Sequence, residues 1–314
     1  MKVAWLFPGQ GTQTVGMGKA LAESSAAARE VFQRADAALD GPLSKLCFEG
    51  PDAELTLTAN TQPAILTTSM ATLAAIREAI PDLPLPAFAA GHSLGEYSAL
   101  VAAGALQFGD AVRLVRLRGQ SMQAAVPEGQ GAMAAIIGGD EAAVRALCDA
   151  ARDGDVVAPA NFNAPGQIVI AGHAAAVRRA SELAGTRKLK AIPLNVSAPF
   201  HSALMAPAAR AVEQALRGVT VHPLAFPVVA NVNAQPNSRA ENVADLLVRQ
   251  IDGAVLWEQT VSFLAAQGVT HALEIGPGKV LAGLVRKIDK RIAVHGVADA
   301  DGILKIREFL NFPD

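Results

Sequence analysis

The sequence predicts an α/β protein whose mostly parallel sheet is covered by helices on both faces. Short apolar runs that suit buried strands alternate along the 314 residues with longer segments of helical periodicity. Because 51% of the residues are hydrophobic and 18% are charged, the chain can bury a sizeable core and disorder is not expected. A segment of about 65 residues interrupts the alternation with the order βαββαβ, which predicts an inserted ferredoxin-like unit.

The predicted core comprises residues 1–126 and 196–314. Its strands are short apolar runs bounded by glycine, proline or polar turn residues, over residues 3–7, 87–90, 227–232, 271–275 and 292–297. Its helices are segments of helical periodicity or helix-forming composition, over residues 19–39, 64–79, 97–103, 110–125, 202–217, 241–252, 257–267 and 279–287. Since strands and helices alternate, the strands are expected to pair in parallel through helical crossovers.

The predicted insert, residues 127–195, begins at a clear break in the helical pattern, Pro127-Glu128-Gly129-Gln130-Gly131. Its strands are predicted over residues 132–137, 156–162, 167–171 and 189–194. Its helices are predicted over residues 141–151 and 174–185. The chain then returns to the core through residues 195–202.

A G-x-S-x-G pattern, Gly91-His92-Ser93-Leu94-Gly95, lies between a predicted strand and a predicted helix. That context is typical of a nucleophile elbow, a tight turn that holds the serine hydroxyl at the carboxyl end of a sheet. The Leu94 amide would then lie at a helix start, where free N–H groups stabilise an oxyanion. Ser93 is the predicted nucleophile, and a chance serine in a glycine-rich turn is the alternative.

The glycine-rich loop after the first strand, residues 8–18, fails both nucleotide-binding templates. A dinucleotide fingerprint that begins at Gly9 needs a glycine where Thr14 stands, and a P-loop that begins at Gly11 lacks its lysine and hydroxyl pair. The loop is therefore interpreted as a tight turn that brings Gln10 near the strand ends. A glutamine amide there can donate to an oxyanion or orient a carbonyl.

One charged residue, Arg118, falls on the apolar side of the helix predicted over residues 110–125. With residues placed about 100° apart, its neighbours on that side are Leu114, Val115 and Met122. A guanidinium stays charged and is costly to bury without an anionic partner. From periodicity alone two interpretations stay open. Either Arg118 has a structural role, paired with a carboxylate or with its head reaching water, or it clamps a substrate carboxylate.

His201 is the histidine predicted to activate Ser93. It follows a proline break at a loop–helix junction after the insert, and catalytic groups concentrate in such loops. A serine hydroxyl needs a neighbouring base to become nucleophilic. A satisfied structural histidine is the alternative that holds for any single histidine.

Composition argues against several classes of partner. The net charge is −2 with no basic block, so nucleic acid is not an expected partner. Cys47 and Cys148 lack C-x-x-C spacing, which predicts neither a disulfide framework nor a zinc site. No uninterrupted apolar run reaches the length of a membrane span, and the N-terminal apolar run is too short for a secretory signal. Together these observations predict a cytoplasmic protein without a metal or a membrane partner.

Four separated stretches together resemble one family. They are residues 7–13, 91–96, 161–167 and 276–278, which contain PGQGTQ, GHSLGE, NFNAPGQ and GPG. In order and spacing, over essentially the whole chain, they look like those of malonyl-CoA:acyl carrier protein transacylases. These enzymes are the stand-alone relatives of the acyltransferase domains of fatty acid and polyketide synthases. The resemblance implies an α/β-hydrolase-like core with an inserted ferredoxin-like subdomain.

The resemblance also implies roles for individual residues. Ser93 matches the acyl-accepting nucleophile of the family, His201 its base and Arg118 the clamp for the free malonyl carboxylate. Gln10 and the backbone of Leu94 match its oxyanion hole.

Other positions match the family in the surroundings of the site. Gln250 matches the glutamine whose main-chain carbonyl orients the histidine, and Asn161 and Asn163 match positions near the cleft. Phe200 and Leu94 look like the residues that accompany a choice of malonyl over methylmalonyl. One stretch departs from the family, since residues 254–257 are Ala-Val-Leu-Trp where Pro-Val-Arg-Trp is usual.

The function that the resemblance implies is a ping-pong transfer of a malonyl group from malonyl-CoA to the phosphopantetheine thiol of acyl carrier protein, most simply in fatty acid biosynthesis. No cofactor is expected, and a monomer is the expected state. A trans-acting polyketide synthase acyltransferase or a malonate decarboxylase transferase subunit would share the motifs. A serine hydrolase or thioesterase shares the elbow but would usually place an acid between serine and histidine in chain order. A non-catalytic carrier-docking module, with a structural Ser93, is the remaining alternative.

Overall fold

The core of the protein is a six-stranded, mostly parallel sheet. The computed structural model describes residues 1–196 and 198–311. Its strands are β1 Lys2–Phe7, β2 Phe88–Gly91, β3 Gly131–Ile137, β4 Val157–Ala164, β5 Gln167–His173, β6 Lys190–Pro193, β7 Val228–Val229, β8 Pro236–Asn237, β9 Val269–Ile275 and β10 Ala293–Val297. The core sheet has the order β10-β9-β1-β2-β7-β8, in which only β8 is antiparallel to its neighbour. This arrangement confirms the predicted α/β class.

Helices cover both faces of this sheet and one face of a second, smaller sheet. They are α1 Lys19–Ser24, α2 Ala26–Leu39, α3 Leu43–Glu49, α4 Asp52–Thr56, α5 Thr58–Ala79, α6 Gly95–Ala102, α7 Phe108–Ala124, α8 Glu141–Ala151, α9 Ala174–Thr186, α10 Ala206–Leu216, α11 Val243–Asp252, α12 Trp257–Ala266, α13 Val280–Ile288, α14 Ala300–Leu304 and α15 Ile306–Phe309. Short 3₁₀ turns at Ala203–Met205 and Ala240–Asn242 precede α10 and α11.

The central strand β1 shows how the sequence fills the two faces of the core sheet. Its last four residues are fully buried and alternate in direction, as side chains of a strand must. Trp5 and Phe7 enter the larger apolar cluster, to which α2, α5 and α7 contribute. Ala4 and Leu6 enter the cluster on the opposite face, to which α12 and α13 contribute. An unbroken apolar run therefore becomes a strand that is covered on both sides.

The second sheet belongs to the predicted insert and is antiparallel throughout. Its order is β4-β5-β3-β6, which is the ferredoxin-like order expected of a βαββαβ unit. Helices α8 and α9 cover one face, where Ile136, Ile168 and Ile170 are buried. The other face carries Met133 and is turned toward the core domain.

Backbone hydrogen bonds tie the insert to the core beside the end of α11. The amide of Phe162 in β4 donates to the carbonyl of Val255 at 2.9 Å, and the Val255 amide donates to the Ala160 carbonyl at 2.9 Å. Val255 lies in the stretch whose sequence departs from the family. A cleft remains between the insert and the carboxyl ends of the core strands.

Several element boundaries differ from the sequence prediction. The helix expected from residue 64 begins at Thr58 and carries Pro63 in its second turn, where a proline costs one backbone hydrogen bond. The segment 19–39 is two helices, because the Ser25 hydroxyl caps a new start by accepting from the Ala28 amide. The helix expected from residue 202 begins at Ala206, next to a proline that suits a first turn.

The strand expected over residues 227–232 is also shorter than predicted. It ends at Val229, after which a turn closed by the Ala230 amide and the Gln235 carbonyl leads into β8. The return loop after the insert includes Ser197, which lies outside the described residues. None of the helices in the described part of the chain combines the length and the apolar character that crossing a bilayer requires.

Candidate active site

Ser93 lies on a strained turn between β2 and α6. Its φ is 51°, a left-handed conformation that residues with a side chain rarely adopt. The two flanking glycines explain why the turn can close. A Cβ at Gly91 would overlap the Gly95 carbonyl group, and a Cβ at Gly95 would overlap the carbonyl group of Phe7 in the adjacent strand. The predicted elbow therefore forms, and it presents the serine at the carboxyl end of the sheet.

His201 lies within hydrogen-bond distance of the serine. Its Nε2 is 2.7 Å from Ser93 Oγ. Its Nδ1 lies 2.9 Å from the main-chain oxygen of Gln250 and 3.2 Å from that of Gly253. Carbonyl oxygens only accept, so Nδ1 carries the proton and Nε2 is free to accept from the serine hydroxyl. A helix end supplies this orientation, because the last carbonyls of α11 lack partners within the helix.

The surroundings of His201 keep its imidazole neutral. Burial, with the positive charge of Arg118 as a second cause, lowers its pKa to about 3, and its hydrogen bonds to Gln250 and Gly253 oppose the shift. A neutral imidazole is the form that can accept a proton. Among the described residues no carboxylate takes the position beside Nδ1 that an acid takes in a hydrolase triad.

Arg118 is buried beside the serine, with only 1% of its surface exposed. Its Nη2 donates to Ser93 Oγ at 3.1 Å and to Gln250 Oε1 at 2.9 Å, and its Nη1 donates to Gln62 Oε1 at 2.8 Å. Its Nε has no hydrogen-bond partner among the described residues, and the guanidinium lies over the Tyr97 ring at 5.4 Å. All of its partners are thus neutral, which leaves a buried cation without a contacting anion.

A buried polar network lies behind the serine. The Gln250 side chain donates from Nε2 to the Ser93 carbonyl at 2.9 Å and to Glu96 Oε2 at 2.8 Å. Asn231 accepts from the Ser93 amide at 2.7 Å and donates to the Gly91 carbonyl at 2.7 Å. Each of these polar side chains is nearly or fully buried. The elbow turn is therefore held on both sides of Ser93 by side chains from distant parts of the chain.

The two predicted oxyanion donors differ in their geometry. The Leu94 amide lies at the start of α6 and donates to no group among the described residues, so it remains available to an anion. The side-chain amide of Gln10 instead donates to Thr58 Oγ1 at 3.2 Å. Gln10 lines the cleft, but its side chain is engaged with α5.

The cleft above Ser93 has a volume of about 770 Å³, and it is lined by loops and helices of the core and by strands β3 and β4 of the second sheet. Asn161 and Phe200 line it together with Ser93 and His201. Asn163 does not line it. Its Oδ1 lies 2.8 Å from Nε2 of His92, so it connects the insert to the elbow.

Three residues of the site were missed by sequence reasoning: Gln62, Glu96 and Asn231. Glu96 stands inside the GHSLGE stretch and Gln62 directly precedes Pro63, but nothing in the sequence indicated that they are buried. Asn231 follows an apolar run, where a lone amide is a weak signal of a buried hydrogen-bonding role. Among the described residues no group of three or more histidine, cysteine or acidic side chains could hold a metal ion.

Comparison with known proteins agrees with this geometry. The family model for the acyl transferase domain matches residues 4–301. A malonyl CoA-acyl carrier protein transacylase of Bacillus subtilis is 50% identical over 306 residues, which cover 96% of this chain and 95% of that protein.

Solved structures match equally well. The crystal structure of an acyl-carrier-protein S-malonyltransferase from Burkholderia pseudomallei has a TM-score of 0.95 and 47% identity, covering 98% of this chain and 100% of the other. A malonyl-transacylase solved in complex with its type II PKS acyl-carrier protein has a TM-score of 0.95 and 43% identity, covering 98% and 99%. The chain therefore belongs to the acyl transferase family, among the malonyl CoA-acyl carrier protein transacylases.

Proposed function

We propose that this protein transfers a malonyl group from malonyl-CoA to the phosphopantetheine thiol of an acyl carrier protein, through a malonyl-serine intermediate. The observation that carries the proposal is the buried Arg118 guanidinium, which lies 3.1 Å from the nucleophile and, within the described part of the chain, bonds only to neutral oxygens. A cation in that state favours a substrate with its own negative charge. The malonyl group supplies a carboxylate at one end and the reacting thioester carbonyl at the other.

In the first half-reaction Ser93 attacks the thioester carbonyl. His201 Nε2 takes the hydroxyl proton as the oxygen–carbon bond forms, and the negative charge moves to the former carbonyl oxygen. The free Leu94 amide at the start of α6 is a suitable donor to that oxygen. When the tetrahedral intermediate collapses, the carbon–sulfur bond breaks and His201 returns the proton to the thiolate of coenzyme A.

In the second half-reaction the same groups work in reverse. His201 takes the proton of the carrier thiol, the sulfur attacks the malonyl-serine ester, and the proton returns to Ser93 Oγ. The carbonyls of Gln250 and Gly253 hold the imidazole in one tautomer through both halves. Only side chains and main-chain groups take part, so the proposal requires no cofactor.

The clamp selects against uncharged acyl groups, because such a group leaves the Arg118 guanidinium unpaired. An acetyl group lacks the second carboxylate and would leave its position empty, so that the cation stays desolvated and unpaired. Phe200, next to the base in the sequence, lines the cleft, and its resemblance to the family residue that accompanies a choice of malonyl supports a preference for malonyl over a branched analogue.

The proposed setting is fatty acid biosynthesis in the cytoplasm. A relative named in complex with a type II PKS acyl-carrier protein keeps a polyketide pathway open, and a malonate decarboxylase subunit would use the same first half-reaction. The choice among these depends on the carrier that accepts the group, which a panel of purified holo carrier proteins would identify.

The test is the intact mass of the protein after brief incubation with malonyl-CoA or with acetyl-CoA. We expect a malonyl adduct on the wild type, little acetyl adduct, and neither on Ser93→Ala. Addition of a holo acyl carrier protein should then remove the malonyl group and add its mass to the carrier. Failure of the wild type to form an adduct, with carrier present or absent, would overturn the proposal. Rapid release of free malonate without carrier would favour a hydrolase.

A further inference from the structure

Glu96 is a buried carboxyl group that the mechanism above does not use. It lies three residues after Ser93, on α6, with 2% of its surface exposed, and it does not line the cleft. A carboxyl group is retained in a protein core only where hydrogen bonds or charges compensate its burial. The partners of Glu96 therefore indicate what it holds in place.

Both of its protein partners donate to one oxygen. Glu96 Oε2 accepts from Gln250 Nε2 at 2.8 Å and from the backbone amide of Asn231 at 3.0 Å. Glu96 also lines a second cavity of about 10 Å³, away from the cleft, which has room for about one water molecule. The carboxyl group thus joins α11 to the chain that follows β7, directly beneath the elbow.

The bond to Gln250 determines which way the glutamine amide faces. Its Nε2 has two neighbours, Glu96 Oε2 and the Ser93 carbonyl, and Oε2 is already occupied by a second N–H donor. The amide nitrogen must face these acceptors, and the amide oxygen must face Nη2 of Arg118. Without Glu96 only the Ser93 carbonyl would hold the amide nitrogen on that side, so the Gln250 side chain would lose one of the two bonds that keep its oxygen aligned with Nη2 of Arg118.

The bond to Asn231 supports the strained serine. By fixing the Asn231 backbone, Glu96 fixes the side chain that holds the Ser93 amide and the Gly91 carbonyl at opposite ends of the turn. The same carboxyl group therefore acts on the nucleophile through one neighbour and on the carboxylate clamp through the other.

We propose that Glu96 is the positioning residue that aligns Arg118 with Ser93, through the side chain of Gln250 and the backbone of Asn231. The inference rests on the proposed function, because the alignment matters for a substrate that carries both a thioester and a carboxylate. Glu96 touches no substrate. Its loss should thus damage malonyl transfer more than acetyl transfer, since acetyl does not use the clamp.

Two conservative variants separate the hydrogen bonds from general destabilisation. Glu96→Gln keeps an oxygen that can accept both bonds, so its rates of serine acylation with malonyl-CoA should stay within about threefold of wild type. Glu96→Asp withdraws the acceptor by one methylene group. It should raise KM for malonyl-CoA and lower the malonyl-to-acetyl rate ratio about tenfold or more, the loss expected when a hydrogen bond to a charged group is misaligned.

Glu274 provides the matched control. It is also fully buried, lies on β9 outside the cleft, and accepts from two amides at the start of α13, those of Leu281 and Ala282. Glu274→Asp should lower the unfolding temperature without changing the malonyl-to-acetyl ratio. Glu96→Met, which keeps side-chain volume and removes the acceptors, is the second variant should Glu96→Asp not fold, and it should show the same fall in the ratio.

The measurement is the initial rate of acyl-serine formation by rapid quench and intact mass, with unfolding temperatures recorded in parallel. The positioning role would be overturned if Glu96→Asp and Glu96→Met kept the malonyl-to-acetyl rate ratio of the wild type. It would also be overturned if Glu96→Gln were as defective as Glu96→Asp. A wild type that forms no malonyl adduct would instead overturn the proposed function, whatever the variants do.

Discussion

Replacing Glu96 by glutamine should remove a pH dependence from the folding stability of this protein. Burial raises the pKa of the Glu96 carboxyl from 4.5 to about 7, and the shift is opposed by its bonds to Gln250 and Asn231 and by the charge of Arg118. Two ionisable groups face Glu96. One is Arg118 from α7, and the other is Tyr97, the next residue in the chain, whose pKa is raised to about 12, chiefly by burial. The raised pKa of Glu96 means that the folded state holds a proton which the unfolded state releases.

The sign and size of the effect follow from proton linkage. Below pH 4.5 the carboxyl is protonated in both states, and the stabilisation is fully present. As the pH rises toward 7 the unfolded chain ionises first, so the free energy of unfolding falls, and it levels off once the folded state ionises too. The pKa of Glu96 is 4.5 in the unfolded chain and about 7 in the folded protein. At 1.36 kcal/mol for each pKa unit, the free energy of unfolding falls by about 3 kcal/mol.

The assay is urea unfolding of the wild type and of Glu96→Gln between pH 4.5 and pH 8. Because every other group is shared, the difference in unfolding free energy between the two proteins isolates the carboxyl. We expect the glutamine variant to gain about 3 kcal/mol relative to the wild type across this window. Glu182→Gln, which removes an exposed carboxyl group on α9, is the control for the substitution itself. If the unfolding free energies of the wild type and of Glu96→Gln change in parallel with pH, the reasoning is refuted.

Three further predictions concern the residues around the nucleophile. Arg118→Ala should lower the rate of serine acylation by malonyl-CoA about 100-fold while leaving the acetyl-CoA rate within a few fold, so that an unchanged rate ratio would contradict the clamp. Since the pKa of His201 is lowered to about 3, protonation of His201 should not reduce kcat/KM of the wild type between pH 8 and pH 5. Loss of the Arg118 charge should raise the pKa of His201. The fall in kcat/KM at acid pH, measured with acetyl-CoA on Arg118→Ala, should therefore move to higher pH. Gly95→Ala should destabilise the fold by about 1–3 kcal/mol or more in urea unfolding, because its Cβ would overlap the Phe7 carbonyl, whereas Gly185→Ala, with open space around it, should not.

The local features of the site could be predicted because each leaves a short signature in the sequence. The elbow combines a strand, two glycines around a serine and a helix, and the steric overlaps at Gly91 and Gly95 explain why that pattern is so restrictive. Arg118 could be singled out because it is a charged residue on a helix face whose other residues are apolar. The alternation of apolar runs and helical segments gave the parallel core, and the βαββαβ order gave the insert.

What could not be predicted is the network of buried side chains behind the serine, whose members are distant in the chain. Gln250 and Asn231 reach the elbow from positions 157 and 138 residues away from Ser93. No periodicity or motif indicates which buried amide meets which carboxyl, since those distances depend on how α6 and α11 pack. The position of Gln10 shows the same limit, because its side chain bonds to Thr58 in a helix whose start was misplaced.

The use of main-chain oxygens to orient His201 has an electrostatic consequence for the clamp. An aspartate at Nδ1 would orient the imidazole equally well, but it would bring a permanent negative charge close to Arg118, which shares Ser93 Oγ with His201. In a buried site that charge would partly neutralise the guanidinium and compete with the carboxylate of the substrate. The carbonyls of Gln250 and Gly253 orient the base through dipoles alone. The one carboxyl in the network, Glu96, is held from Arg118 by the intervening Gln250 amide, so the positive charge beside the nucleophile is kept for the substrate.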